Sequence, residues 1–99
     1  MILPIEKEQI PYRFDIELAS DLFTFEVHYN KHFDFFTLDI EKDGAALING
    51  EKLVLNKPLF SDSVNVNLPK IKIIPKDRAG IERRITFDNL SETVFLYVE

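Results

Sequence analysis

Leu22–Gly50 reads LFTFEVHYN, then KHF, then DFFTLDIEKDGAALING, and its spacing decides the fold class. Phe23, Phe25, Val27 and Tyr29 alternate with Thr24, Glu26 and His28, the period of a β-strand with one buried face. After Asn30-Lys31-His32 the alternation restarts, with Phe36, Leu38 and Ile40 inward and Thr37, Asp39 and Glu41 outward. Two such strands joined by a short polar loop make a β-hairpin.

Strands extend from this hairpin in both directions. Tyr12–Leu18 alternates in the same way, and Ala19-Ser20-Asp21 is a polar break that turns it antiparallel onto the next strand. On the other side, Asp43-Gly44 supplies a turn, and Asn49-Gly50 predicts a second one splitting Ala45–Leu55 into two short strands, with a bulge as an alternative feature there. Val64–Leu68, Lys70–Ile74 and Ile81–Phe87 also alternate, the second bounded by Pro69 and Pro75 as an edge strand. Val94–Val98 is apolar on both faces, which predicts a strand near the middle of a sheet. The expected architecture is all-β: a small antiparallel barrel or barrel-like sandwich of about seven or eight short strands, without substantial helix.

Met1–Pro11 carries Pro4 and Pro11 among alternating apolar and charged residues. It reads as an extended arm that either folds back on its own barrel or lies on a partner. A chain of 99 residues with 45% hydrophobic content and nine Phe supports one domain and one core. It has no cysteine, hence no disulfide framework or thiolate metal site. No apolar run approaches a membrane span, and the N-terminus lacks a signal-peptide pattern. The net charge of −5 argues against duplex DNA or an anionic membrane as the main ligand. These features describe a soluble, acidic domain made in the cytosol.

Candidate chemistry is sparse. His28 and His32 stand four apart, a metal-ligand spacing only on a helix; here they fall on a strand and its loop. Asp15, Glu17, Glu26, Asp34, Asp39 and Glu41 are many, but nothing separates an acid–base pair from a solvated strand face. The serines and the three glycines all fall in expected turns. The reading is therefore of a protein that is not an enzyme and has no cofactor or metal.

Two polar and aromatic features remain. Lys70, Lys72, Lys76, Arg78, Arg83 and Arg84 cluster in the last third, against an acidic hairpin. They form either a single-stranded nucleic-acid face, as on an oligonucleotide-binding barrel, or solvated faces that dock an acidic neighbour; the second reading is the plainer. Phe33 and Phe35 are surplus to the inward stripe and either cap the core or form an apolar contact patch. Phe33, Phe35, Arg83 and Arg84 are the candidate partner contacts.

The run Phe23–Asn30, followed by Phe36–Ile40, Asp43-Gly44, Asn49-Gly50 and Leu53, resembles the baseplate plug proteins of simple contractile-tailed phages. Ile10-Pro11 matches that family's opening, and Asp88-Asn89-Leu90 before Val94-Phe95-Leu96-Tyr97 its close. The chain departs where the family often has Trp, at Phe35-Phe36, and where it is glycine-rich, at Leu68-Pro69-Lys70. The resemblance implies a small structural β domain, without catalytic residues or cofactor, made in the bacterial cytoplasm and assembled into a virion or tail-like particle. Such a domain sits between tail tube and hub or spike, bound to those proteins and to copies of itself, and helps close the channel until the tail fires. An acidic surface suits a lumen through which DNA must pass, so Lys at Glu26 or Asp39 is expected to slow DNA delivery.

Overall fold

The computed structural model describes residues 1–99. Four antiparallel strands in chain order form the larger sheet: β1 (Tyr12–Leu18), β2 (Asp21–Asn30), β3 (Phe35–Lys42) and β4 (Ala45–Lys52). A smaller two-stranded sheet pairs β5 (Ile73–Lys76) with β6 (Phe95–Val98). The only helical element is one 3-10 turn, Lys7–Gln9. The fold is thus nearly all β, but it has six strands rather than seven or eight, and the sheets do not close into a barrel. Closure would need β1 and β4 to pair, and they remain the two edges of the larger sheet.

The register explains the core. Phe25 lies opposite Phe14 on β1 and Ile40 on β3, and Val27 opposite Tyr12 and Leu38. Phe23, Phe25, Val27, Phe36, Leu38 and Ile40 are all at most 1% exposed. A one-residue slip would turn this entire row to solvent, so burial locks the hairpin register. Leu3 and Ile5 join the same core from the N-terminal arm, and Ile73, Leu90, Val94 and Leu96 from the second half.

The arm lies on its own chain. Leu3 N–H donates to the Leu96 carbonyl (2.9 Å) and Val98 N–H to the Met1 carbonyl (2.8 Å), so β6 runs between the arm and β5. That doubly flanked position explains the unbroken apolar run. β5 continues through Pro75, which the sequence reading took as its end. The Ile73 and Pro75 carbonyls accept from Leu59 and Asn56 N–H, so the missing Pro75 donor points away from the β6 ladder.

Three turn and strand expectations are corrected. Asn49-Gly50 does not split two strands: it forms a bulge within β4, where Asp39 faces two residues and its carboxylate accepts the Gly50 N–H at 2.7 Å. Val64–Leu68 is not a strand, because Ser63 and Asn65 side chains capture the N–H groups of Asn65 and Asn67. Ile81–Phe87 is not a strand either. The Asp77 carboxylate accepts from Ala79, Ile81 and Glu82 N–H, and Asn89 holds Thr86 N–H and the Arg84 carbonyl, leaving this loop no need of a ladder.

The β1–β2 connection is the tight turn that its polar break suggests. Ala19 and Ser20 both adopt positive φ, 51° and 73°, between paired Leu18 and Asp21, the geometry that favours Asn-Gly. Replacing Ala19-Ser20 with Asn-Gly is expected to stabilise the fold by about 1 kcal/mol, read as a raised denaturant midpoint with an unchanged m-value. Phe25→Ala is expected to cost about 3–5 kcal/mol, measured in the same titration.

Candidate functional site

The β2–β3 tip is organised by Asp34. Its backbone takes a positive φ of 55°, and its carboxylate collects bonds from three directions. Tyr29 Oη–H donates to Oδ1 at 2.7 Å and Phe87 N–H to the same oxygen at 2.9 Å, while the Arg84 guanidinium lies 3.4 Å from Oδ2. Arg84 also donates to the Asp34 carbonyl at 2.8 Å. The Tyr29 hydroxyl, the Phe87 amide and Arg84 together hold the Asp34 carboxyl below its ordinary range. The same bond and partial burial push the Tyr29 hydroxyl up. Beneath the clamp, Tyr29, Phe36 and Phe87 pack ring against ring, with centroids 4.8–6.2 Å apart.

This clamp brings the loop 83–87 alongside the hairpin tip and opens a cleft of about 380 Å³ between them. Phe33, Phe35, Arg83 and Arg84 all line it. Phe33 is 66% exposed at the tip, and Phe35 lies under the Lys52 ammonium, which is 4.8 Å from the ring centroid. Leu53, Val54, Leu55 and Ile85 supply the rest of the apolar floor, with Val54 exposed. The sequence reading missed Lys52 and these four residues. Leu53-Val54-Leu55 does not alternate, and that run of three apolar residues after a strand was the available signal.

The lining holds three cations and no acid. Arg84 is engaged with Asp34, and Lys52 with the Phe35 ring, but Arg83 is exposed and makes no hydrogen bond or ion pair. An apolar floor under a cationic rim suits an apolar side chain flanked by carboxylates. A wider depression of about 470 Å³ over loop 81–93 is polar, with Ile81 its one hydrophobic lining residue and charges of both signs.

The other candidates disperse. His28 Nε2 lies 3.1 Å from Asp39 and 3.7 Å from Glu26 on the outer sheet face, while His32 packs edge-on against Phe33. Glu26, His28 and Asp39 bring three ligand-type atoms within 4.8 Å of one another. Arg13, however, already sits 3.1 Å from Glu26, and Gly50 N–H occupies the other Asp39 oxygen. The late basic residues form no continuous groove: Arg78 stacks on Tyr97 at 4.2 Å, Lys76 pairs with Glu99, and Lys70 caps the Val66 carbonyl. No helix is long and apolar enough to cross a membrane.

The fold is a small, nearly all-β domain with an apolar-floored cleft at one end of its larger sheet. Over its whole length, residues 1–99, the chain matches the family described as cyanophage baseplate Pam3 plug gp18, and it belongs to that baseplate plug family. It is accordingly a structural component of a phage tail baseplate, assembled into the virion with other tail parts. No curated protein matches the chain.

The Asp34 clamp has a pH signature. A carboxyl depressed on folding stabilises the fold fully above its unfolded pKa of about 3.9, and that contribution is lost as pH falls through the lower folded value. Asp34→Asn is expected to cost about 1 kcal/mol at neutral pH, after allowance for solvent at this half-exposed site. The gap from wild type should shrink below about pH 4, measured by thermal unfolding across pH; a gap independent of pH would contradict the assignment.

Proposed function

We propose that this chain closes the central channel of the baseplate, between the tail tube and the hub or spike, and docks through the Phe33–Arg83 cleft. The observation that carries this reading is the cleft itself: an exposed Phe33 and a free Arg83 held side by side by the Asp34 clamp. A large aromatic side chain and an arginine fixed on a rigid floor are the residue types that dominate binding energy at protein interfaces. The role is mechanical and needs no catalysis, and the particle is a phage, a prophage product or a tail-like bacteriocin.

The outer face of the larger sheet supports the channel reading. Asp15 and Glu17 are exposed there, with Glu26, Asp39 and Glu41 in the neighbouring rows, partly neutralised by Arg13 and His28. A net acidic face disfavours adsorption of passing DNA. Since Glu26 and Asp39 also hold Arg13 and His28, Asp15, bonded only by the Thr24 hydroxyl, is the cleaner position at which Lys substitution tests DNA delivery.

Incorporation into particles tests the docking reading. Tails are purified from cells in which the gene is deleted and resupplied as wild type or as Arg83→Glu, and the chain is quantified by mass spectrometry. Wild type is expected to be present at fixed stoichiometry, and Arg83→Glu reduced about tenfold or more. Equal incorporation of both would remove the cleft from the interface, and absence of the wild-type chain from tails would remove the plug role.

A further inference from the structure

The cleft has a counterpart on the same molecule. Along the outward row of β2, Thr24, Glu26 and His28 are polar, but Leu22 is apolar and 59% exposed. Acids surround it. Glu17 is its cross-strand partner on β1, Asp21 precedes it, and the register that pairs Thr24 with Glu41 sets it opposite Asp43 in the next turn. Asp21 is answered by Lys42 at 3.4 Å, whereas Glu17 and Asp43 are exposed and have no ion pair.

We propose that this acidic end, with Leu22 as its anchor, inserts into the Phe33–Arg83 cleft of a second copy of the chain, so that copies associate head to tail. The inference rests on reading the cleft as a docking site and names its occupant. Charge complementarity carries the choice: the cleft offers an apolar floor rimmed by Lys52, Arg83 and Arg84, and the opposite end offers one apolar side chain rimmed by carboxylates.

Position on the sheet makes the contact heterologous. β2 starts at Asp21 beside the acidic end and finishes at Asn30, three residues before Phe33. Ten residues of strand span roughly 30 Å, so the two surfaces lie at opposite ends of the sheet and one copy can use both at once. A contact of this kind propagates from copy to copy, and it forms a closed ring when the rotation per copy divides the circle. Closure uses up every cleft and every Leu22 end.

Mixing two variants tests this directly. Leu22→Glu spoils the anchor and leaves the cleft intact; Arg83→Glu spoils the cleft and leaves the anchor intact. Both positions are exposed, and circular dichroism with thermal melting confirms that each variant folds as wild type. By sedimentation equilibrium, wild type is expected to associate beyond dimer, and each variant alone to associate at least about tenfold more weakly. An equimolar mixture is expected to give one-to-one dimers and nothing larger, because only one productive junction exists per pair.

A wild-type chain that stays monomeric up to about 1 mM, or a mixture that stays monomeric beside an associating wild type, would overturn the proposal. Arg83-dependent entry of a monomeric chain into tails would likewise overturn the self-contact, while leaving the cleft to a different baseplate protein.

Discussion

A single carboxylate ties the tip of the central hairpin to the loop that completes the cleft. Asp34 sits at the tip of the central hairpin in a left-handed conformation and is bonded by Tyr29, Phe87 and Arg84. The partners on the later loop lie 50 or more residues away in sequence. The loop 83–87 is also held by the buried Ile85, by the Phe87 ring against Tyr29 and Phe36, and by Lys7 on the Phe87 carbonyl, and the clamp adds the polar tie to the hairpin tip. The placement of Arg83 and the cleft follow from these contacts together. Since the clamp is half-exposed and its bonds are charge-assisted, it fixes geometry more than it contributes stability; the buried Phe23, Phe25 and Phe36 row supplies most of that.

How much of this was legible in the sequence depends on where the chain's hydrogen bonds go. Strands β1 to β3 were readable because each has one buried face, and burial imposes a two-residue period; Tyr12–Leu18 even keeps the expected bounds. The same period misled at Val64–Leu68 and Ile81–Phe87. Those apolar residues alternate, yet Ser63, Asn65, Asp77 and Asn89 offer the backbone local partners, and no neighbouring strand competes. Asn49-Gly50 carried the stronger turn signal but became a bulge inside one strand, while Ala19-Ser20 took the tight turn expected of it despite residues that disfavour positive φ. At Asn49-Gly50 local propensity lost to the pairing of β4 with β3. Barrel closure was not readable at all, since it depends on whether two distant edges meet.

The site divided in the same manner. Phe33 and Phe35 stood out because they break the inward stripe, and Arg83 and Arg84 because charge is unevenly distributed along the chain. Nothing in the sequence said that these four would share one cleft; that required the Asp34 clamp. Lys52 and the Leu53–Leu55 wall were missed because they sit just past the end of β4, where alternation stops. Membership in the baseplate plug family gives this geometry its setting. The two distinctive surfaces of this small domain occupy opposite ends of its larger sheet.

The most direct measurement of the central claim is a cryo-electron microscopy map of the intact tail at side-chain resolution. Density for this four-stranded sheet is expected within the central channel between tube and hub, with Phe33 and Arg83 buried against a neighbouring chain. Density lying outside the channel, or within it with the Phe33–Arg83 cleft open to solvent, would contradict this reading.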